Sequence, residues 1–267
     1  MSINTKYYFW SDEAVYNLCI IVPCYNEASR GDLRERVNSI ISYINEKSSI
    51  MSIELIFIND ASKDNTFEIL KEFTKLGNVT VLSNRTNCGK GASIKQAIAI
   101  SESRYCMFMD ADLSVPLEYI DEFYKKIDDN TILAGSRHLK TSNITVHQTK
   151  GRQLISKFSH FIIRSFNKSL GLDMRDTQCG FKMFPTEPIR NITKYSVCDN
   201  WLFDIELLVY GQALELNVRE EPVTWGTDLD STMNGLTSLI TSGFEFISIL
   251  KSVRKNKKII QKEVQDD

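Results

Sequence analysis

The chain has 267 residues, enough for a large buried core, and its 42% hydrophobic and 25% charged residues are ordinary for a globular protein. The net charge of −2 is unevenly distributed. Residues 136–200 carry 11 Lys and Arg against 4 Asp and Glu, whereas residues 1–135 carry 14 against 19 and residues 201–267 carry 7 against 11. The middle segment is therefore expected to bind anionic groups. Nucleic acid is disfavoured, and no nucleic-acid partner is expected, because these basic residues are not interleaved with aromatic stacking positions.

The sequence has no pattern typical of secretion or of a bilayer span. No basic segment followed by an apolar one opens it, and it has no apolar run of about 18 residues. The six cysteines form no Cys-x-x-Cys pair and no zinc-ligand pattern. A cytoplasmic protein with reduced thiols is expected.

Short apolar runs alternate with helical patterns along the chain. Strands are predicted over residues 18–22, 53–58, 79–82, 105–109, 132–134 and 218–223. Four helices are predicted: over residues 30–47, from an N-cap near Asp64, from after Gly91 through Ile100, and from Pro116 onward. In the second of these, Phe67, Leu70 and Phe73 are expected to face inward. This alternation predicts an α/β fold with a parallel sheet and helices on both faces.

Polar loops follow four of these strands. They carry Glu27, Asp60, Lys90 and the pair Asp110 and Asp112. Because ligands bind at the carboxyl ends of parallel strands, the four loops are expected to converge on one site.

The pair Asp110 and Asp112 ends a strand that reads as buried on both faces. Two carboxylates are costly there unless a cation binds them. A hard divalent ion, completed by a substrate's phosphate oxygens, is the functional interpretation. An acidic turn is the structural alternative, since Asp favours turns in any case.

Two later segments have helical amphipathic patterns. Residues 151–172 combine aromatic and basic positions, and residues 236–253 are followed by the basic run 254–258. Each pattern fits a helix in a membrane interface and fits equally a helix docked on the protein core. Both interpretations stay open at this point.

Five motifs follow one another along the chain: Val22-Pro-Cys-Tyr-Asn-Glu27, Asn59-Asp-Ala-Ser-Lys-Asp64, Asn87-Cys-Gly-Lys-Gly91, Asp110-Ala-Asp112 and Asp176-Thr-Gln-Cys-Gly-Phe-Lys182. From about residue 17 to residue 233, the chain resembles the inverting family 2 glycosyltransferases. The last motif, with Phe203-Asp-Ile-Glu-Leu-Leu208, resembles the dolichyl-phosphate glucosyltransferases and bacterial polyprenyl-phosphate glycosyltransferases.

The resemblance implies a Rossmann-like GT-A fold with C-terminal amphipathic helices. Residues 1–235 would form the catalytic domain, and residues 236–267 an amphipathic helix with a basic tail. The implied reaction moves a hexose, expected to be glucose from UDP-glucose, to a polyprenyl or dolichyl phosphate. It would use Mg²⁺ or Mn²⁺ and take place with peripheral contact at the cytoplasmic face of a membrane.

Roles carry over only to matching positions. The nucleotide sugar would contact Pro23, Tyr25, Glu27, Asp60, Lys90, Asp110, Ala111 and Asp112. The metal and diphosphate would be held by Asp110, Asp112 and Gln178, and the acceptor phosphate by Arg137 and Arg152. Two features depart from the family pattern: Asn59 stands where many relatives have Asp, and residues 227–233 match only loosely.

The acceptor decides whether a general base is needed. A phosphate monoester has a second pKa of about 6, so it is largely an anion at neutral pH and needs no base. A sugar hydroxyl would need a positioned carboxylate, for which Asp204 and Glu206 are the candidates. A glycan-elongating glycosyltransferase is therefore the alternative, and a nucleotide-binding regulator without catalysis is a more distant one.

Overall fold

The computed structural model describes residues 14–145, 170–226 and 245–256, together with residue 259. Its strands are β1 (Tyr16–Cys24), β2 (Ile53–Asn59), β3 (Val79–Ser83), β4 (Ser103–Met109), β5 (Thr131–Ser136), β6 (Asn143–Ile144), β7 (Phe181–Pro185), β8 (Asn217–Pro222) and β9 (Thr224–Trp225). Its α-helices are α1 (Leu33–Lys47), α2 (Thr66–Lys71), α3 (Lys90–Ile100), α4 (Tyr119–Tyr124), α5 (Thr186–Thr193), α6 (Phe203–Ala213) and α7 (residues 245–256). Short 3₁₀ helices span Ala28–Arg30 and Glu72–Lys75.

Seven strands form one mixed sheet in the order β3-β2-β1-β4-β7-β5-β8. Strands β1 to β4 are parallel to one another, and β5 is parallel to β8. Strand β7 runs antiparallel between β4 and β5. The predicted α/β class with a mostly parallel sheet is confirmed.

Alternate residues of the central strands enter two separate apolar cores. On β1, Leu18, Ile20 and Val22 face the core that includes residues of α1 and α4. Cys19 and Ile21 face the core that includes residues of α3, α5, α6 and α7. Helices therefore cover both faces, which leaves the strand ends as the place for a ligand site.

Three local expectations were wrong in detail. Strand β7 was not predicted, because the polar residues before it and the charge of Lys182 conceal a fully buried strand. Helix α4 begins at Tyr119 rather than at Pro116, because Pro116 opens a turn in which its carbonyl accepts a bond from the Tyr119 N–H at 3.2 Å. Helix α2 is short and buries Leu70, whereas Phe67 is only partly buried.

Helix α7 packs on the protein core. Its residues Phe246, Ile249 and Val253 are buried, and Ser252 Oγ lies 2.7 Å from the hydroxyl of Tyr210 on α6. Residues 245–256 are thus docked on the core by one side of α7, and contact of its exposed side with a membrane stays a prediction. The predicted helix at 151–172 lies almost entirely outside the described residues. Among the residues described, no helix combines the length and apolarity that a bilayer span needs.

Candidate active site

Hydrogen bonds connect the loops that follow β2 and β3. The carboxylate of Asp60 accepts the backbone N–H groups of Cys88 and Gly89, each at 2.8 Å, and the side-chain amide of Asn84, also at 2.8 Å. Its Oδ2 accepts only one of these bonds, so this oxygen keeps acceptor capacity for a ligand N–H. Asp60 therefore shapes the loop that leads into α3 and remains able to accept a bond from a base.

A second network connects the loop after β1 to the Asp-x-Asp segment through Arg36 on α1. The Arg36 guanidinium donates to Glu27 Oε2 at 2.9 Å and to the carbonyl oxygen of Ala111 at 2.6 Å. Glu27 is buried and also pairs with Arg30 at 2.8 Å. The sequence does not predict Arg36 as a site residue, although it lies in the first turn of α1, beside the buried residues Leu33 and Val37.

Asp110 lies between a lysine and a glycine. Lys90 Nζ donates to its Oδ1 at 2.7 Å. On the other side, a Cβ added to Gly180 would overlap the Asp110 carboxylate, so the absence of a side chain there makes room for it. Burial disfavours the charge on Lys90, but the nearby carboxylates of Asp110 and Asp204 outweigh burial and raise the pKa of Lys90.

Asp112 is partly buried and accepts the backbone N–H of Ser114 at 3.0 Å. Burial and the neighbouring charge of Asp110 raise its pKa, and the bond from Ser114 only partly offsets them. A carboxylate whose charge is disfavoured in this way gains from a bound cation. Asp110 and Asp112 thus form an anionic corner at the carboxyl end of β4.

The residues at this corner suit a divalent ion completed by phosphate oxygens. Within the described ranges, no three His, Cys, Asp or Glu side chains gather as a metal site by themselves. The amide nitrogen of Gln178 is buried and has no hydrogen-bond partner in the described part of the chain. An orphaned buried N–H donor fits a hydrogen-bond acceptor such as a phosphate oxygen of the ligand, and only the amide oxygen of Gln178 could contact a cation.

Arg137 is held by Asp176, at the point where β5 ends. The Asp176 carboxylate accepts Nε of Arg137 at 2.7 Å, Nη2 at 2.9 Å and the backbone N–H at 3.0 Å. Although burial opposes the charge of Asp176, Arg137 lowers the pKa of this carboxyl well below its usual range. The third nitrogen of the guanidinium, Nη1, makes no hydrogen bond to any residue the structure describes.

The two carboxylates considered as bases on α6 are both buried. Asp204 accepts Nζ of the fully buried Lys182 at 2.7 Å, and the same Nζ donates to the Cys179 carbonyl oxygen at 2.6 Å. Glu206 accepts the N–H groups of Val197 and Cys198 at 3.0 Å each. Its burial raises its pKa. Both carboxylates are buried and hydrogen-bonded to protein groups, and their role as a base stays a prediction.

The remaining predicted residues divide into two groups. Tyr25 is exposed and Pro23 partly buried, both at the end of β1 beside the Glu27 network. Arg152 and residues 227–233 lie outside the described residues, so their predicted contacts stay predictions.

Comparison with known proteins places this geometry in a family. The family model described as glycosyl transferase family 2 matches residues 19–193. A dolichyl-phosphate beta-glucosyltransferase of Dictyostelium discoideum is 31% identical over 245 residues, which are 87% of this chain and 73% of that protein. The human protein of the same name is 30% identical over 228 residues, 80% of this chain and 68% of its own length.

Solved structures share the fold at lower identity. Glucosyl-3-phosphoglycerate synthase from Mycobacterium tuberculosis, in complex with Mn²⁺, UDP and glucosyl-3-phosphoglycerate, superposes with a TM-score of 0.58 at 14% identity and covers 92% of this chain and 81% of its own. S. aureus TarS 1–349 with UDP-GlcNAc has a TM-score of 0.55 at 18% identity, with 93% and 71% covered. The predicted GT-A architecture is thereby confirmed.

Proposed function

The chain belongs to glycosyl transferase family 2, and on that premise we propose that it transfers glucose from UDP-glucose to a polyprenyl or dolichyl phosphate with inversion at C1. The names of the relatives at 30% and 31% identity support the lipid-phosphate acceptor. The anionic corner of Asp110 and Asp112 at the end of β4, with Lys90 bound to Asp110, is the observation that carries the proposal.

We assign the divalent cation, Mg²⁺ or Mn²⁺, to Asp110, Asp112 and Gln178. When bound, such a cation neutralises charge on the leaving nucleoside diphosphate. Lys90 places a second positive charge at the same corner, and its raised pKa keeps it protonated at neutral pH. The protein thus supplies fixed positive charge where the diphosphate leaves, without a proton transfer.

The nucleoside is assigned to the loops joined by Asp60 and Glu27. Asp60 keeps acceptor capacity on Oδ2 for a base N–H, and Arg36 fixes the Ala111 carbonyl against Glu27. Tyr25 is exposed beside them and can contact the base or the ribose. These residues orient the donor without taking part in bond breaking.

A phosphate acceptor suits the buried state of Asp204 and Glu206. A phosphate monoester is already an anion at neutral pH, so its oxygen attacks C1 without a general base. Arg137 keeps Nη1 for an acceptor oxygen while Asp176 fixes its orientation, and Arg152 is proposed as its companion. A hydroxyl acceptor would need a base that neither carboxylate on α6 is placed to be.

The acceptor also sets the proposed location, the cytoplasmic face of a membrane with peripheral contact. We retain residues 1–235 as the catalytic domain, on which α7 from the segment 236–267 docks. Exposed basic side chains on α7 can face anionic lipid while its apolar residues remain in the core.

A transfer assay tests the proposal. Purified protein is given radiolabelled UDP-glucose with Mn²⁺ and either undecaprenyl phosphate or soluble sugar acceptors, and the Asp112→Asn variant serves as the control. Labelled lipid-linked product is expected only with the lipid phosphate, only with metal, and at least about 100-fold less with Asp112→Asn. Label in soluble glycan, or no lipid-linked product with any nucleotide sugar, would contradict the proposal.

A further inference from the structure

Trp201 is a large aromatic side chain that stays exposed beside the anionic corner. It is 47% exposed, although it begins a segment that continues into the buried helix α6. Lys90 Nζ lies 5.7 Å from the centre of its ring and 2.7 Å from Asp110 Oδ1. One ammonium group therefore contacts both the indole and the carboxylate assigned to the metal.

The loop that carries Trp201 is held by hydrogen bonds to side chains of α3 and α6. Buried Glu206 accepts the hydroxyl of Ser196 at 2.6 Å as well as the backbone N–H groups of Val197 and Cys198. Lys95 on α3 donates to Asp199 at 2.6 Å. A buried carboxylate that accepts several hydrogen bonds from a surface loop fixes the position of that loop.

Two glycines bring the loop close to the start of α3. A Cβ at Gly89 would overlap Asn200, and one at Gly91 would lie 2.6 Å from Cβ of Phe203. The Asp199 carbonyl accepts the Ala92 N–H at 3.0 Å in the same contact. The exposed ring of Trp201 is therefore presented by a packed support, which is the arrangement that stacking on a ligand requires.

We propose that Trp201 is the platform on which the hexose of the nucleotide sugar stacks. A pyranose ring carries C–H groups on its faces and hydroxyls around its rim. An indole face can therefore cover the C–H groups while the hydroxyls stay hydrated. The position next to Lys90 and Asp110 suits the sugar, because the hexose is joined to the diphosphate placed at that corner. This inference rests on the proposed function and adds the residue that recognises the transferred sugar.

An exposed tryptophan can also anchor a protein in a membrane interface. The contact with Lys90 favours the sugar, because it ties the ring to the diphosphate corner rather than to the basic surface of α7. The two roles differ in what they change, since a sugar platform affects UDP-glucose but not UDP.

The test compares the affinities for UDP-glucose and for UDP, both measured calorimetrically with Mn²⁺. Trp201→Ala is expected to weaken UDP-glucose binding about tenfold, the effect of losing one stacking contact, and to leave UDP binding within about twofold. Trp201→Phe keeps an aromatic face and should lose no more than about threefold. Val197→Ala, at a residue 49% exposed on the same loop, is the matched control and should change neither affinity.

An unchanged ratio of the two affinities in Trp201→Ala would overturn the inference and leave the proposed function intact. The inference also fails if Trp201→Ala lowers only the binding of the protein to phosphatidylserine vesicles. Absence of UDP binding by the wild-type protein would overturn the proposed function and this inference with it.

Discussion

Gly180 lies directly against the Asp110 carboxylate, and the N–H of Asp110 donates to the Gly180 carbonyl at 3.1 Å. A methyl group at this position must displace Asp110, because the overlap involves both of its carboxylate oxygens. Gly180→Ala is therefore expected to lower kcat/KM about 10- to 100-fold and to raise the Mn²⁺ concentration needed for activity, since small misplacements of reacting groups cost rates of this order.

Gly77→Ala is the matched control for that substitution, because a Cβ at Gly77 would meet no atom within 4 Å. It should leave kcat/KM and the Mn²⁺ requirement at their wild-type values. Equal activities of the two variants would show that the position of Asp110 does not depend on the missing side chain of Gly180.

At the scale of single residues, the site residues that could be predicted are those whose local sequence pattern indicates their role. Asp110 and Asp112 could be predicted because an apolar strand and the carboxylates that end it lie within one short stretch. Arg36 could not, because its partner, the Ala111 carbonyl, is 75 positions away along the chain. The pairing of Asp204 with Lys182 could not be predicted either, because the two buried side chains are 22 positions apart in the sequence.

At the scale of elements, the pair Arg137 and Asp176 joins the end of β5 to the segment before β7. The Asp176 side chain is 2% exposed and that of Arg137 25%. Asp176→Asn is expected to lower the free energy of unfolding at pH 7 by about 3 kcal/mol, because it leaves a largely buried guanidinium without its counter-charge. Urea unfolding at pH 7 measures this loss.

The pH dependence follows from the lowered pKa of Asp176. Because the folded-state pKa lies below the unfolded value of about 3.9, the stabilisation is complete above that value and is lost as the pH falls below it. The difference between wild type and Asp176→Asn should therefore shrink in acid. Glu72→Gln breaks the exposed pair of Glu72 with Arg34, whose side chains are 53% and 48% exposed, and should leave the free energy of unfolding nearly unchanged because solvent screens that pair. A loss for Asp176→Asn no larger than this control would contradict the assignment.

The same junction shows why the element pattern was predicted unevenly. Strands β1 to β4 alternate with helices, and hydrophobic runs and polar loops mark each boundary. Strand β7 lies antiparallel between β4 and β5, so it is not part of a βαβ unit whose alternation would predict it. Its Lys182 is also charged although fully buried. Only the tertiary pairing of Lys182 with Asp204 makes that residue compatible with a central strand.

At the scale of the whole molecule, α7 presents different chemistry on its two sides. Phe246, Ile249 and Val253 are buried in the core, whereas Lys251, Arg254 and Lys255 are exposed. Deleting the segment would remove part of the core, so charge reversal is the cleaner test of membrane contact. Arg254→Glu with Lys255→Glu is expected to weaken flotation with phosphatidylserine-containing vesicles at least about tenfold, since each basic residue near an anionic surface contributes about 1 kcal/mol.

The control for this pair must change the net charge equally without touching α7. Lys71→Glu with Lys75→Glu does so at two exposed lysines of α2 and the 3₁₀ turn after it. That variant should float as the wild type does, and both variants should keep the wild-type melting temperature because all four side chains are exposed. If the two double variants lose flotation equally, or if flotation does not depend on phosphatidylserine, then α7 is not the surface that meets the membrane. The acceptor lipid would then have to reach the anionic corner from another side of the protein.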